Sequence, residues 1–341
     1  MQNNSATKSQ KEKLGLVKVS FGKTFGLPEV QEAVQATSIV TLLENGKQGV
    51  SVFAPDINPH YQFRKDSLFS LWIFLEQPNN DALYITGPTG SGKTSLVSQY
   101  AARVGWPVQE VTGHGRMEMS DLVGFHTLQS ANEGETPSMK FEYGPLAIAM
   151  KEGHIFLLNE IDFVDPSDLA GLNDVLEGRP LIISANGGEI IKPHPAFRVI
   201  VTANSAGGGD MTGLYAGIKT MNIASMDRYR MLEIGYPEPH VEKAILERVT
   251  PVLPAELREA MVTLANDIRA VFIGCNEEGV LSVTMSTRTL TRWAKVSQSL
   301  YAMGFENPLS KALEESLLLR CQPEERIAIE KMADLLFGQD Y

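Results

Sequence analysis

Eight consecutive residues constrain this chain more than any other feature: Gly87-Pro88-Thr89-Gly90-Ser91-Gly92-Lys93-Thr94. They match G-x-x-x-x-G-K-S/T in full. An apolar run, Leu83-Tyr84-Ile85-Thr86, precedes them, and a helical pattern from Lys93 to Val104 follows. A strand, a glycine-rich loop and a helix in that order make a phosphate cradle. Glycines let backbone N–H groups turn inward around phosphate oxygens, and the helix directs its positive end at the anion. Lys93 then neutralises the outer phosphates, and the Thr94 hydroxyl suits a Mg²⁺ ion. The expected ligands are ATP and Mg²⁺.

Four further apolar runs recur between helical patterns: Val108 to Val111, Ile155 to Leu158, Val199 to Thr202, and Met231 to Ile234. Strands alternating with helices predict an α/β core with a five-stranded parallel sheet flanked by helices. The runs are continuous rather than alternating, as strands buried on both faces require. Ser67 to Gln77 reads as a helix stopped by Pro78. After Tyr236-Pro237-Glu238-Pro239 the pattern becomes purely helical, at His240–Val249, Ala255–Ile273, Thr287–Tyr301, Pro308–Leu319 and Pro323–Leu336. The expected division is a disordered polar tail over 1–15, a small N-terminal module over 16–65, the nucleotide-binding core over 66–236, and a helical lid over 237–341. Turn signals at Gly26-Leu27-Pro28, Asn45-Gly46 and Asn58-Pro59 punctuate the N-terminal module.

The third strand ends in Asn159-Glu160-Ile161-Asp162. Phosphate-ester hydrolysis needs one group to support Mg²⁺ and a base to orient water. Glu160 suits the base. Asn159 suits the metal only through a bound water, because a carboxamide lacks charge, so weaker Mg²⁺ support and slower turnover are expected. Asp162 either compensates, contacts a neighbouring subunit, or is an ordinary helix cap or surface acid. Asn204 closes the fourth strand, where it can hydrogen-bond the attacking water or the γ-phosphate. In Met226-Asp227-Arg228-Tyr229-Arg230, Arg228 is the candidate for a guanidinium delivered across a subunit boundary to a neighbour's γ-phosphate. Arg230 is the alternative, and a surface ion pair is the common fate of either. Ser286 or Thr287 suits a helix N-cap, and Arg288 in the first turn can reach back to phosphate or lie solvated.

The bulk composition excludes other classes. Net charge is -11, which speaks against broad nucleic-acid binding but leaves room for a local basic pore. No run of about 18 uninterrupted apolar residues occurs, so no membrane span is expected, and the polar N-terminus lacks a signal-peptide core; the expected location is the cytoplasm. Cys275 and Cys321 form no metal pattern and read as buried thiols. His114, His126, His154 and His194 share no ligand spacing and read as structural.

Three further segments narrow the reading. Ser120-Asp121-Leu122-Val123-Gly124, followed by Phe141-Glu142-Tyr143-Gly144-Pro145-Leu146, interrupts the helical pattern after the second strand. Leu181 to Ile191, with Asn186-Gly187-Gly188 between apolar runs, is a hairpin signal. Pro193-His194-Pro195-Ala196-Phe197-Arg198 runs through Thr202-Ala203-Asn204 and Gly209-Asp210-Met211-Thr212-Gly213-Leu214-Tyr215 to Met226-Asp227-Arg228. With these, the chain resembles the MoxR class of AAA+ ATPases. The first segment is similar to its helix-2 insert (about 120–146), and the second to its pre-sensor-1 hairpin (about 181–192). The third looks like the corresponding part of the CobS-type ATPase subunits of cobaltochelatase. So do Val19-Ser20 with Phe25-Gly26, Leu176-Glu177 with Arg179, and Met285-Ser286-Thr287-Arg288-Thr289. The likeness runs from about residue 17 to about residue 338, and Asn159, where most relatives carry Asp, is its main departure.

The resemblance implies an ATP-dependent homo-hexameric ring and a partner carrying a von Willebrand A domain, as in CobT-like proteins. It also implies a sensor 1 role for Asn204 and a sensor 2 role for Arg288. Three functions stay open: a motor that remodels or activates a partner complex, the ATPase subunit of a cobaltochelatase driving cobalt into a corrin ring, and a mobile-element or phage motor acting on a nucleoprotein complex. The acidic balance ranks the third last.

Overall fold

The computed structural model describes residues 13–42, 48–129, 138–209, 217–272 and 279–338. The N-terminal segment forms β1 (Lys13–Ser20), the short α1 (Phe21–Phe25), β2 (Gln35–Leu42) and β3 (Gln48–Gly49), a three-stranded antiparallel sheet. The α/β region follows with α2 (Lys65–Glu76), β4 (Ala82–Thr86), α3 (Lys93–Val104), β5 (Val108–Thr112), α4 (Met119–Val123), β6 (Gly124–Gln129), β7 (Ser138–Tyr143), α5 (Pro145–Glu152) and β8 (Ile155–Asn159). It continues through α6 (Asn173–Leu176), β9 (Leu181–Ile183), β10 (Glu189–Ile191), β11 (Arg198–Thr202), α7 (Ile223–Met226) and β12 (Tyr229–Glu233). The C-terminal region is α8 (Pro239–Val249), α9 (Ala255–Ala270), α10 (Thr287–Ala302), α11 (Pro308–Ser316) and α12 (Pro323–Phe337).

The main sheet is five-stranded and parallel, in the order β12-β4-β11-β8-β5. Its strands are the five runs that the sequence predicts. The central strands β4, β8 and β11 are buried on both faces, which explains their apolar character, whereas the edge strands β5 and β12 carry polar residues, among them Glu110 and Glu233, and are partly exposed. Tyr84, Phe156, Leu158 and Val201 point to the side covered by α5. Leu83, Ile85, Leu157 and Ile200 point to the side covered by α2 and α3. All five strands end toward one edge, and there the loops after β4, β8 and β11 converge, the usual location of a ligand in an open parallel sheet.

The N-terminal segment is not a free-standing unit. Phe21, Phe25, Leu27, Ala36 and Ile39 are buried in the same core as Leu68, Phe74, Tyr100 and Trp106. The Phe25 ring stacks on Tyr100 at 4.7 Å between centroids. So small a piece cannot bury enough apolar area alone and borrows the outer side of α2 and α3. β1 already begins at Lys13, inside the expected tail; residues 1–12 lie outside the described residues, as do the Asn45-Gly46 turn and Cys275. Cys321 is half-buried rather than fully buried.

Two antiparallel hairpins rise from the α/β region, β6–β7 and β9–β10, within the spans that the resemblance assigns to its insert and its hairpin. A hydrogen bond of 2.7 Å between His126 Nε2 and the Ala185 carbonyl oxygen ties them together.

The helical region has its own core around Trp293, Leu290, Met261 and Ile268. A buried ion pair organises its inner end. Arg269 donates to both carboxylate oxygens of Glu242 at 2.7 and 2.8 Å and to the Met285 carbonyl oxygen at 2.7 Å. Thr287, the first residue of α10, also donates to Glu242 at 2.7 Å. The guanidinium of Arg269 lies 4.3 Å from the ring centre of Tyr236, on the segment joining the two regions. Among the described residues no helix is long and apolar enough to cross a membrane.

Candidate nucleotide site

The loop between β4 and α3 is shaped by its glycines. Gly87 has φ +144°, and a Cβ there would lie 2.1 Å from the Ile234 carbonyl oxygen. Gly90 has φ +70°, and a Cβ would lie 2.6 Å from the Cβ of Ser286 in the helical region. A side chain at either position meets strain and a collision. The second contact brings the start of α10 directly against the loop. Ser286 caps that helix, accepting from the Thr289 N–H at 3.1 Å, and this settles the choice between Ser286 and Thr287.

A cavity of about 290 Å³ lies at the loop. Its lining includes Lys93, Thr94, Glu110, Asn159, Asn204 and Arg288. Thr89, Gly90, Gly92 and Glu160 also face it. Gly87 and Pro88 serve from behind: the Lys93 ammonium donates to their carbonyl oxygens at 2.6 and 3.0 Å, and to Asn204 Oδ1 at 3.0 Å. Ser91 is buried and accepts from Arg64 through its carbonyl oxygen at 3.3 Å. Burial pushes the Lys93 pKa down from its ordinary value to about 8, against the opposing pull of Asp162 and Glu160.

The end of β8 is a network. Asn159 is buried, and its Oδ1 accepts from the Thr94 hydroxyl at 2.7 Å and the Thr202 hydroxyl at 3.0 Å. Its Nδ2 donates to Glu110 Oε1 at 2.8 Å. Glu160 follows in the left-handed region, φ +56°, a conformation that disfavours a side-chain-bearing residue and is held here by the Thr202 hydroxyl accepting its N–H at 3.3 Å.

Asp162 departs from each of the alternatives that the sequence leaves open. It is fully buried, so it is neither a surface acid nor available to a neighbouring subunit. Its Oδ2 accepts from the backbone N–H of Asn204 at 2.8 Å and of Ser205 at 3.3 Å. Burial raises its pKa, while those two N–H groups and Lys93 pull the other way. Asp162 therefore holds the loop that presents Asn204 rather than standing in for Asn159.

Arg228 lies away from this cavity, at the far end of β12. It donates to Glu177 Oε1 at 2.6 Å and to the Ala224 carbonyl oxygen at 2.5 Å. Arg230 donates to the Gln77 carbonyl oxygen at 3.2 Å. Within one chain neither can reach the phosphate loop, so any role for them at a nucleotide belongs to a neighbour's site. Residues 210–216, part of the segment likened to CobS-type subunits, lie outside the described residues.

Sequence reasoning missed a second cavity of about 540 Å³ that adjoins Gly90 and Gly92. His60 and Tyr61 form one wall and Pro237, Val241 and Ile245 another. Arg64 pins this corner by donating to the Gly235 carbonyl oxygen at 2.8 Å. A flat aromatic ring next to branched aliphatic side chains suits a planar heterocycle. Only the turn signal Asn58-Pro59 pointed here, and it carries no chemistry. Among the described residues no group of His, Cys, Asp and Glu could hold a metal by protein ligands alone.

Comparison with known proteins bears on the same regions. Residues 82–216 match the family model "AAA domain (dynein-related subfamily)", and residues 242–335 match "CbbQ/NirQ/NorQ C-terminal". The chain is 29% identical over 291 residues to the aerobic cobaltochelatase subunit CobS of a Sinorhizobium species, covering 84% of this chain and 83% of that one. It is 30% identical over 212 residues to an uncharacterized protein of Staphylococcus aureus, covering 62% of this chain and 77% of that one. Among solved structures, a point variant of RuvB from Thermotoga maritima matches with a TM-score of 0.46 at 13% identity, over 78% of this chain and 73% of that one.

Proposed function

We propose that this chain, which belongs to the MoxR class of AAA+ ATPases, binds ATP with Mg²⁺ at the loop Gly87–Thr94 and hydrolyses it to remodel or activate a partner complex. What carries this reading is one convergence: Lys93, Thr94, Asn159, Glu160, Asn204 and Arg288 surround a single cavity at the mouth of a helix. The triphosphate takes the small cavity, and the base takes the larger one between Tyr61 and Ile245.

The donor set fits Mg²⁺, which prefers hard oxygens and keeps several waters. Thr94 would hold the ion through its hydroxyl oxygen while donating its proton in a hydrogen bond to Asn159 Oδ1, the bond already present at 2.7 Å. Bound there, the ion would draw charge off the phosphate oxygens. Lys93 neutralises the outer phosphates. Glu160 orients a water and takes its proton, and Asn204 hydrogen-bonds the water or the γ-phosphate. Arg288, two residues into α10, answers phosphate from the helical region, so nucleotide state changes the seating of that region on the loop. Arg228 serves the neighbour's nucleotide across a ring contact, which makes hydrolysis depend on assembly into a homo-hexamer.

The two joined hairpins present exposed apolar side chains, among them Phe125, Leu128, Ile182 and Ile190, and supply the surface by which the motor presses on a partner. A von Willebrand A domain protein of the CobT kind is the proposed partner, in the cytoplasm. A second reading has one observation in its favour, the extent of similarity to CobS: here the ring would be the ATPase subunit of a cobaltochelatase. Purified protein should release phosphate from ATP only with Mg²⁺, and Glu160→Gln should keep ATP bound without releasing phosphate. Recovery of partners on the Glu160→Gln protein under ATP separates the two readings: a corrin-binding subunit supports the chelatase, and a von Willebrand A protein without one supports remodelling. Absence of nucleotide turnover, alone or with partner, would sink both.

A further inference from the structure

The carboxamide of Asn159 is already fully engaged. Both lone pairs of its Oδ1 meet hydroxyls, Thr94 at 2.7 Å and Thr202 at 3.0 Å. Its Nδ2 can only donate, so the acceptor it faces, Glu110 Oε1 at 2.8 Å, fixes which way the amide points. Two consequences follow. Asn159 holds the Thr94 hydroxyl but has no lone pair left over for a water on the ion. It also carries no charge to offset a divalent cation.

Glu110 has what Asn159 lacks. It lies on β5, the strand paired with β8 at the sheet edge, with Thr112 opposite Asn159 in the register. Its side chain faces the same cavity as Lys93 and Thr94 and is exposed there. Among the described residues, Asn159 Nδ2 is the only group bonded to its carboxylate, which leaves the second oxygen free to accept. Of the other acids near the end of β8, Glu160 is given to the attacking water, and Asp162 is fully buried outside the cavity lining with its Oδ2 held by the Asn204 and Ser205 N–H groups.

We propose that Glu110 is the acidic partner of the Mg²⁺–nucleotide complex, supplying through the Asn159 amide and through water the negative charge that the Asn159 side chain itself lacks. This rests on the nucleotide reading above and adds to it a residue and a division of labour: Asn159 orients the Thr94 hydroxyl, and Glu110 supplies the charge. A carboxylate one hydrogen bond removed from the ion acts through a partly screened field, so its effect on Mg²⁺ is expected at about tenfold rather than at the scale of a direct ligand.

The test measures equilibrium binding of a fluorescent ATP analogue across a Mg²⁺ titration, with EDTA as the metal-free limit. Glu110→Gln keeps an acceptor for Asn159 Nδ2 and removes only charge. It should shift the Mg²⁺ concentration for half-maximal tightening upward by about tenfold, leave metal-free affinity unchanged or slightly stronger, and leave thermal unfolding unchanged. Asn159→Asp in the Glu110→Gln background should restore the wild-type Mg²⁺ midpoint. If Glu110 merely orients Asn159, Glu110→Gln will have the wild-type midpoint while Glu110→Ala shifts it, and the proposal is overturned with the nucleotide site intact. A wild-type protein that binds no nucleotide at all would overturn the nucleotide reading itself.

Discussion

Asp162 Oδ2 lies 2.8 Å from the backbone nitrogen of Asn204 and holds it from beneath, so one buried carboxylate sets where the side chain at the end of β11 points. Asp162→Ala would leave that N–H and the Ser205 N–H unpaired and buried, a loss of about 1–3 kcal/mol each at most. The expected result is a stability loss of a few kcal/mol in denaturant unfolding and a larger fall in turnover than in ATP affinity. Asp162→Asn retains an acceptor oxygen and should recover most of the stability. A variant with normal turnover would show that Asn204 needs no such anchor.

Lys93→Ala removes the ammonium that links Gly87, Pro88 and Asn204. Nucleotide affinity should fall by at least about 100-fold, given that a charge-assisted bond in a partly buried site contributes about 1.5–3 kcal/mol and Lys93 makes more than one. Calorimetric titration with ATP checks this. Affinity near that of the wild type would remove the loop from the site.

Arg228→Ala should bind ATP normally and lose assembly-dependent hydrolysis. Its ion pair with Glu177 is partly exposed, so stability should change little. Rings mixed from Arg228→Ala and Glu160→Gln chains give the decisive readout. Sites combining an intact Glu160 with a neighbour's intact Arg228 should hydrolyse, in proportion to their abundance. Undiminished activity in all-Arg228→Ala rings would transfer the role to another arginine.

His154 is buried beside Gln109, and burial lowers its pKa from 6.5 to about 4. The unfolded chain therefore binds a proton that the folded chain refuses between those values, and stability must fall as pH falls through that window. The full effect is present above pH 6.5 and amounts to about 3 kcal/mol lost by pH 4. Denaturant unfolding at pH 7 and pH 5 should show this slope in wild type and a shallower one in His154→Gln. Equal slopes would mean that His154 is not the group responsible.

The buried pair Arg269–Glu242 fixes the base of α10 and hence of Arg288. Glu242→Ala leaves a guanidinium buried without its carboxylate, with an expected loss of about 3–5 kcal/mol. The matching measurement is thermal unfolding of the helical region together with ATP affinity, both of which should drop. An unchanged melting temperature would show that water replaces Glu242 at no cost.

The sequence was most legible where a local pattern and its chemistry coincide. Apolar runs marked the central strands β4, β8 and β11, because a strand covered on both faces has no polar side to display. The loop from Gly87 to Thr94 was legible because its phosphate geometry needs glycines and a lysine at fixed spacing. Glu110 was not, since nothing in spacing connects it to Asn159; only the parallel register of β5 on β8 brings them together. The role of Asp162 is not legible because burial of an acid depends on the loop that folds over it. The wall made by His60 and Tyr61 is not legible in the sequence because its partners, Val241 and Ile245, come from the far end of the chain. The seating of the N-terminal module is likewise not legible, because its apolar residues, Phe21 and Ile39 among them, give no hint that their contacts lie on α2 and α3.

That shared core has a consequence for how the protein is made. Phe21, Phe25 and Ile39 leave the ribosome before Tyr100 and Trp106 have been translated, so their greasy side must wait without its match. The nascent chain passes through a stage in which its earliest strands are sticky and unfinished, and a chaperone that shields them until α3 emerges would serve the whole enzyme.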